Sequence, residues 1–184
     1  MFDRYPPIEP SPKEFEEEVK KILDALGTKL REYRSAHREK VDGADGEYEI
    51  DITVRFSALG VDYLTLIECK RHAARVKRED IHVLWAKMQS VGAQKGIVFA
   101  TTGFQSGALE FAKAHGIALV TIADGRSSYF TRAAHQSGEI PWEHVPSAIS
   151  RVVGWIQDGS AVSLVSDQHG SALAKALALD AALP

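Results

Sequence analysis

Three things are scarce in this chain of 184 residues: cysteine, long apolar runs and net charge. The single cysteine, Cys69, has no partner for an intramolecular disulfide, which points to a reducing, cytosolic setting. No apolar run approaches the roughly 20 residues of a membrane span. The stretch Met1-Phe2-Asp3-Arg4-Tyr5-Pro6-Pro7 lacks the apolar core of an export signal. We therefore expect a cytoplasmic protein with neither export nor membrane insertion. The formal charge of −3 counts against a protein that coats nucleic acid, but not against an enzyme that touches it through a local basic patch. The seven histidines show no zinc spacing. A glycine-rich phosphate loop of the Walker type is also missing.

What is present suits one domain with a real core, or one domain and an appendage: 45% of the residues are hydrophobic and 26% are charged. Residues 1–10 are proline-rich and read as an irregular arm. Ser11-Pro12-Lys13-Glu14 then combines a capping box with proline at the first helical position. Phe15, Val19, Ile22, Leu23 and Leu26 follow at helical spacing, with Gly27 as a stop. Residues 41–46 read as a turn. Two strand-like runs, Tyr48–Phe56 and Asp62–Cys69, are joined around Leu59-Gly60. The second is apolar on both faces, as in a central strand covered on both sides. Ile81, Leu84, Trp85, Met88 and Val91 predict a second helix, Gly96–Thr101 a strand, Phe104–His115 a third helix and Ile117–Ile122 another strand. Strand, helix and strand over so short a span form a βαβ unit with parallel strands and a right-handed crossover. The expected fold class is α/β, a mixed central sheet flanked by helices, over residues 11–125. Residues 126–184 read as an appendage of unassigned role: a helix through Ile149, Val152, Val153 and Ile156, a short strand at Ala161–Val165 and an alanine-rich helical tail from Ser171 to Leu183.

The chemistry-bearing residues converge on the hairpin. A tight turn at Leu59-Gly60 pairs Ala58 with Val61, and the same register puts Asp51 opposite Glu68. Residues opposite each other in an antiparallel pair share a face, with Cβ atoms roughly 4.5–5.5 Å apart. Lys70, two residues beyond Glu68, shares that face too. A one-residue bulge would break this register. Phosphodiester hydrolysis needs an activated water and neutralised phosphate charge. Paired carboxylates suit Mg²⁺, which keeps its own waters, and a neighbouring lysine stabilises the transition state. Glu-x-Lys by itself says little, since Glu18-Val19-Lys20 matches it on a helix. The second copy ends the apolar run Leu64-Thr65-Leu66-Ile67, where unpaired charge is costly to bury.

Asp45-Gly46-Glu47-Tyr48-Glu49-Ile50-Asp51 followed by Leu66-Ile67-Glu68-Cys69-Lys70 resembles the split PD-(D/E)xK motif of the Mrr-like restriction endonucleases. The helix opening Phe15-Glu16 resembles that family's first helix, and Gly92–Phe99, Thr101–Phe104 and Ala112–Val120 resemble its closing βαβ segment. The resemblance covers about residues 13–123 and departs from the motif at Ile50, which stands where its name has proline. It implies a restriction-endonuclease-like core and DNA cleavage dependent on Mg²⁺, with Mn²⁺ as a substitute. Asp51, Glu68 and the Cys69 carbonyl would hold the metal, and Lys70 would serve catalysis. Helical geometry leaves Glu16 and Glu18 open as a further acidic group, with Glu17 pointing away; the resemblance favours Glu16.

Two basic patches bear on the partner. Lys29, Arg31, Arg34, Arg38 and Lys40 precede the Asp51 strand, while Arg71, Arg75, Lys77 and Arg78 follow Lys70 directly. The second lies beside the expected metal site and is assigned to DNA phosphates, contacts that position a duplex without reading it. Cys69 points to the face opposite Glu68 and Lys70, as a core thiol. Thr101-Thr102-Gly103 is expected to cap the third helix. The preferred reading is an endonuclease of bacterial DNA restriction or defence, with a homodimer as a possible assembly. A repair or recombination nuclease for branched or damaged DNA is the alternative, and a DNA-binding module with an unused nuclease site is another.

Overall fold

The computed structural model describes residues 11–28, 30–71, 73–124, 152–158 and 161–165. Its frame is a seven-stranded sheet whose strands lie side by side in chain order. Helix α1 (Pro12–Gly27) comes first, followed by strands β1 (Arg31–Gly43), β2 (Gly46–Ala58) and β3 (Val61–Lys70). Then α2 (Arg78–Val91), β4 (Lys95–Ala100), α3 (Ser106–Ala114) and β5 (Ala118–Asp124) alternate, and β6 (Val152–Asp158) and β7 (Ala161–Val165) complete the sheet. The first three strands form an antiparallel meander, β3, β4 and β5 run parallel, and the last two return antiparallel. Among the described residues no helix is long and apolar enough to cross a membrane.

Local chemistry explains the elements nearest the site. Helix α1 starts at a reciprocal capping box, in which the Ser11 hydroxyl accepts the Glu14 amide and the Glu14 carboxylate accepts the Ser11 amide. The β2–β3 hairpin turns on Leu59 (φ 54°) and Gly60 (φ 77°), both left-handed as a two-residue primed turn requires. Ala58 pairs with Val61, and the register runs unbroken to Ile52 opposite Ile67. Two cores sandwich the sheet. Phe15, Val19, Ile22 and Leu23 of α1 pack on Ile52, Val54, Phe56, Ile67, Phe99 and Val120. Ile81, Leu84 and Met88 of α2 and Ala108 and Ala112 of α3 pack on Ile50, Leu66, Val98 and Leu119 from the other side. Strand β3 is covered on both faces, which accounts for its continuous apolar run.

Four sequence expectations need correction or completion. Residues 152–158 are strand, not helix: Val152, Val153, Trp155 and Ile156 are β-branched or aromatic, and β6 finds its backbone partners on β5. Ile149 and the alanine-rich tail lie outside the described residues. Arg31–Gly43, read as a basic patch running into a turn, is a 13-residue edge strand. Its charged sequence hides the alternation, as edge strands commonly do. The cap of α3 is Gln105, without a side-chain bond, whereas Thr102 donates its hydroxyl to the Ala74 carbonyl.

Candidate active site

The sheet changes character at Asp51. On β2, Ile52, Val54 and Phe56 belong to the α1 core, yet Ile50 belongs to the α2 core. Residues two apart on a regular strand share a face, so β2 switches faces at Asp51. Strand β1 does the same opposite it. Tyr33 and Ser35 bond Asp24 of α1 and His37 bonds Glu16, whereas Glu39 bonds Thr53 and Arg55 on the far side. The residue between, Arg38, has a left-handed backbone (φ 50°), unusual for a side chain of that size. Pairing is kept on either side, His37 with Ile52 and Glu39 with Ile50. The twin irregularity therefore re-aims side chains without shifting the register.

Just here β2 and β3 part. The ladder described above ends at Ile52 and Ile67, while β3 continues along β4 through Glu68–Val98, Cys69–Phe99 and Lys70–Ala100. The Cys69 amide, left without a strand partner on the β2 side, is taken by Asp51 Oδ2 at 2.7 Å. Asp51 and Glu68 thus meet across a fork in the sheet rather than as the paired residues of a continuing ladder.

Around that fork, three carboxylates share one field. Glu68 is buried, with 5% exposure, and both its oxygens are occupied: Lys70 Nζ donates to Oε2 at 3.0 Å and Lys87 Nζ to Oε1 at 2.5 Å. Glu16, also buried, accepts His37 Nε2 and Arg38 Nε on Oε2, and Arg38 again on Oε1. Burial raises the Glu16 pKa, but the bonds from Arg38 and His37 outweigh it and hold the carboxyl below its ordinary value. Asp51 has no such cation clamp. Burial, and then the charge of Glu68, push its carboxyl upward, with only the Cys69 amide and Lys70 opposing. Burial would pull Lys70 down, but Glu68 more than offsets it and the ammonium is held above its usual range. Burial pushes the Cys69 thiol well up, consistent with its packing against the α1 core.

Among the described residues no group of three or more His, Cys, Asp and Glu side chains forms a ready cation cage. The donors at the fork nevertheless fit a hard divalent ion. Asp51 and Glu68 offer carboxylate oxygens, and their repulsion is the kind that bound positive charge relieves. Mg²⁺ needs only one or two carboxylates, because it keeps its waters.

The structure brings Asp51, Glu68, Lys70 and Glu16 into one electrostatic neighbourhood. Glu17 is exposed, and Glu18 pairs with Lys21 on the outer surface of α1. Arg71, Arg75, Lys77 and Arg78 are all exposed in the segment leaving Lys70, with the Arg78 guanidinium 5.2 Å from the Phe111 ring centroid. Arg31, Arg34, Arg38 and Lys40 lie on β1, where Arg38 is engaged by Glu16 and Lys40 by Glu47; Lys29 is outside the described residues. Sequence reasoning missed His37 and Lys87, and it saw Arg38 only as part of a patch. Lys87 left one signal: it stands three residues after Leu84 and four before Val91, on the flank of the buried stripe of α2.

The family model Mrr_cat, described as restriction endonuclease, matches residues 9–125. No curated protein matches the chain. Among solved structures it is similar to AF1548, a protein of unknown function, at 22% identity over 58% of this chain and 55% of that one, with a TM-score of 0.49. It is also similar to the MspJI restriction endonuclease in complex with a 27-mer oligonucleotide, at 15% identity over 59% of this chain and 25% of that one, with a TM-score of 0.41. The chain thus spans about half the length of the first and a quarter of the second.

Proposed function

Because the chain belongs to the Mrr-type restriction endonuclease family and so carries a nuclease domain, we propose that it hydrolyses DNA phosphodiester bonds with Mg²⁺, or Mn²⁺ in its place, in bacterial DNA restriction. The supporting observation is the fork itself: a half-buried Asp51 that bonds the Cys69 amide across it, repelled by the charge of Glu68, with the Lys70 ammonium on Glu68. Asp51, Glu68 and the Cys69 carbonyl would hold the cation. When bound, it supplies a water of lowered pKa and positive charge toward the phosphoryl oxygens.

The chain's own groups do the rest. Lys70 points its ammonium where negative charge grows on phosphorus-bound oxygen as water attacks and the P–O bond to the leaving strand breaks. Glu16 accepts hydrogen bonds on the α1 side and orders the water there. Arg71, Arg75, Lys77 and Arg78 hold the DNA backbone without reading bases. One such site cuts one strand, so a double-strand break calls for two copies, and a homodimer in the cytoplasm is the acting form of this reading.

The test is cleavage of plasmids of differing methylation. Cutting is expected with Mg²⁺ or Mn²⁺ and none in chelator. Lys70→Ala should lower kcat by about 10²–10³-fold, the usual cost of losing one transition-state donor, while DNA binding persists. Undiminished cleavage by a purified Lys70→Ala protein would refute the mechanism.

A further inference from the structure

Glu68 is held by two lysines, and only one of them belongs to the motif. Lys70 comes from the same strand two residues on, whereas Lys87 arrives from α2, across the core that covers that face. Lys87 is committed to this contact. Its side chain is 18% exposed, and its ammonium also donates to the Glu49 carbonyl at 3.3 Å, tying β2 just before the fork to β3 just after it. A lysine on an outer flank of a helix ordinarily extends into water to keep its charge solvated. Lys87 instead turns inward and spends two donors on the walls of the site.

We propose that Lys87 is a positioning residue of the nuclease site: from α2 it fixes the rotation of the Glu68 carboxylate by holding Oε1, so that Oε2 is the oxygen left to Lys70 and to a bound cation. This rests on the metal-dependent reading above. Its physical basis is that a carboxylate on a two-carbon stem rotates freely unless one oxygen is fixed, and a ligand oxygen must be presented in a narrow direction to a small hard cation. Lys70 cannot do this alone. If it carried the whole of Glu68, it would be bound to the ligand instead of free to face the phosphate. With Oε1 secured by Lys87, Lys70 can leave Oε2 for the transition state while the carboxylate stays in place. The bond to the Glu49 carbonyl serves the same end by setting the width of the fork between the Asp51 and Glu68 strands.

The experiment is direct binding of Mn²⁺ to the full chain without DNA, followed by calorimetry, for the wild type, Lys87→Met and Lys87→Arg, with each thermal midpoint recorded. Lys87→Met keeps the stem in its packed place and removes the charge. Its Mn²⁺ affinity is expected to fall by about 10–100-fold, the usual loss when the partner of a ligand is removed. Lys87→Arg, which can still donate to Oε1, should recover most of it. In cleavage, kcat should fall in Lys87→Met and KM for DNA should stay near the wild-type value. Unchanged or tighter Mn²⁺ binding by Lys87→Met overturns the proposal, since tighter binding would make Lys87 a competitor of the cation. If Lys87→Met fails to fold, a folded Lys87→Arg with wild-type Mn²⁺ affinity supports the assignment, and one whose affinity is lost overturns it. A wild-type protein that binds no Mn²⁺ would instead sink the nuclease reading, a result separate from any effect of Lys87.

Discussion

The two faces of the sheet treat an acidic side chain in similar ways but build the treatment differently. Under α1, Glu16 is clamped by His37 and Arg38, consecutive residues of one edge strand that reach the same side because Arg38 adopts a left-handed backbone. Under α2, Glu68 is clamped by Lys70 from its own strand and Lys87 from a helix. Between them Asp51 has a backbone amide and no clamp, and its carboxyl rises where that of Glu16 falls. The contrast separates groups already compensated inside the folded chain from one left short of positive charge. The uncompensated group marks where a cation gains most.

The sharpest way to test that contrast is to remove the α1 carboxylate. Glu16→Gln is expected to lower cleavage by about 10–100-fold, as loss of a group orienting the metal's waters does, whereas Glu18→Gln, on the outer surface, should leave it near wild type. A crippled Glu18→Gln would show the wrong helix face has been chosen, and two active variants would reduce α1 to scaffold.

A smaller effect is expected from the exposed segment outside both clamps. Changing Arg75, Lys77 and Arg78 together to alanine should flatten the log–log dependence of DNA affinity on salt by about one unit for each phosphate that is no longer neutralised. The same variant should keep its Mn²⁺ affinity. A slope equal to that of the wild type would mean the segment faces away from DNA.

The smallest effects are on stability, and here the two carboxylates should behave oppositely. Glu16 has a folded pKa below its unfolded one, so its stabilisation is present above the unfolded value and is lost as pH falls through the folded value. Asp51 has a raised folded pKa. Its contribution is present below the unfolded value and is lost as pH rises through the folded one. In chelator at neutral pH, Asp51→Asn should therefore melt higher than the wild type, by about 2–4 °C per kcal/mol of repulsion relieved. The difference should vanish below about pH 4, where the aspartate is itself neutral. Glu16→Gln should lower the neutral-pH midpoint and flatten the loss on acidification. An Asp51→Asn protein that melts lower at neutral pH would show the carboxylate to be compensated after all.

Much of this was legible beforehand where the relevant interactions are local. The Ser11 capping box, the apolar stripes of α1 and α2, and the Leu59-Gly60 turn with its Ala58–Val61 pairing are all short-range patterns. The edge strand β1 was not, because Arg31–Gly43 owes its conformation to pairing with β2 and carries few apolar side chains to betray it. Strand β6 is ambiguous in the sequence for a related reason. Val152, Val153 and Ile156 fit a helical stripe about as well as a buried strand, and the neighbouring β5 decides between them.

By itself the sequence determined which residues carry charge, which positions are apolar, where helices can start and chains can turn, and that Glu68 and Lys70 must share a face of β3. Each of these follows from residue identity and a fixed local period. Only the tertiary structure decided that β2 and β1 switch faces together at Asp51 and Arg38, that Asp51 accepts the Cys69 amide across a fork, and that Lys87 reaches Glu68 from α2. Those facts depend on groups far apart in the chain, such as Asp51 with Cys69 and Glu68 with Lys87, which meet only when the cores on the two faces of the sheet close. No local propensity encodes which carboxylate ends up bonded to two cations and which to a backbone amide alone.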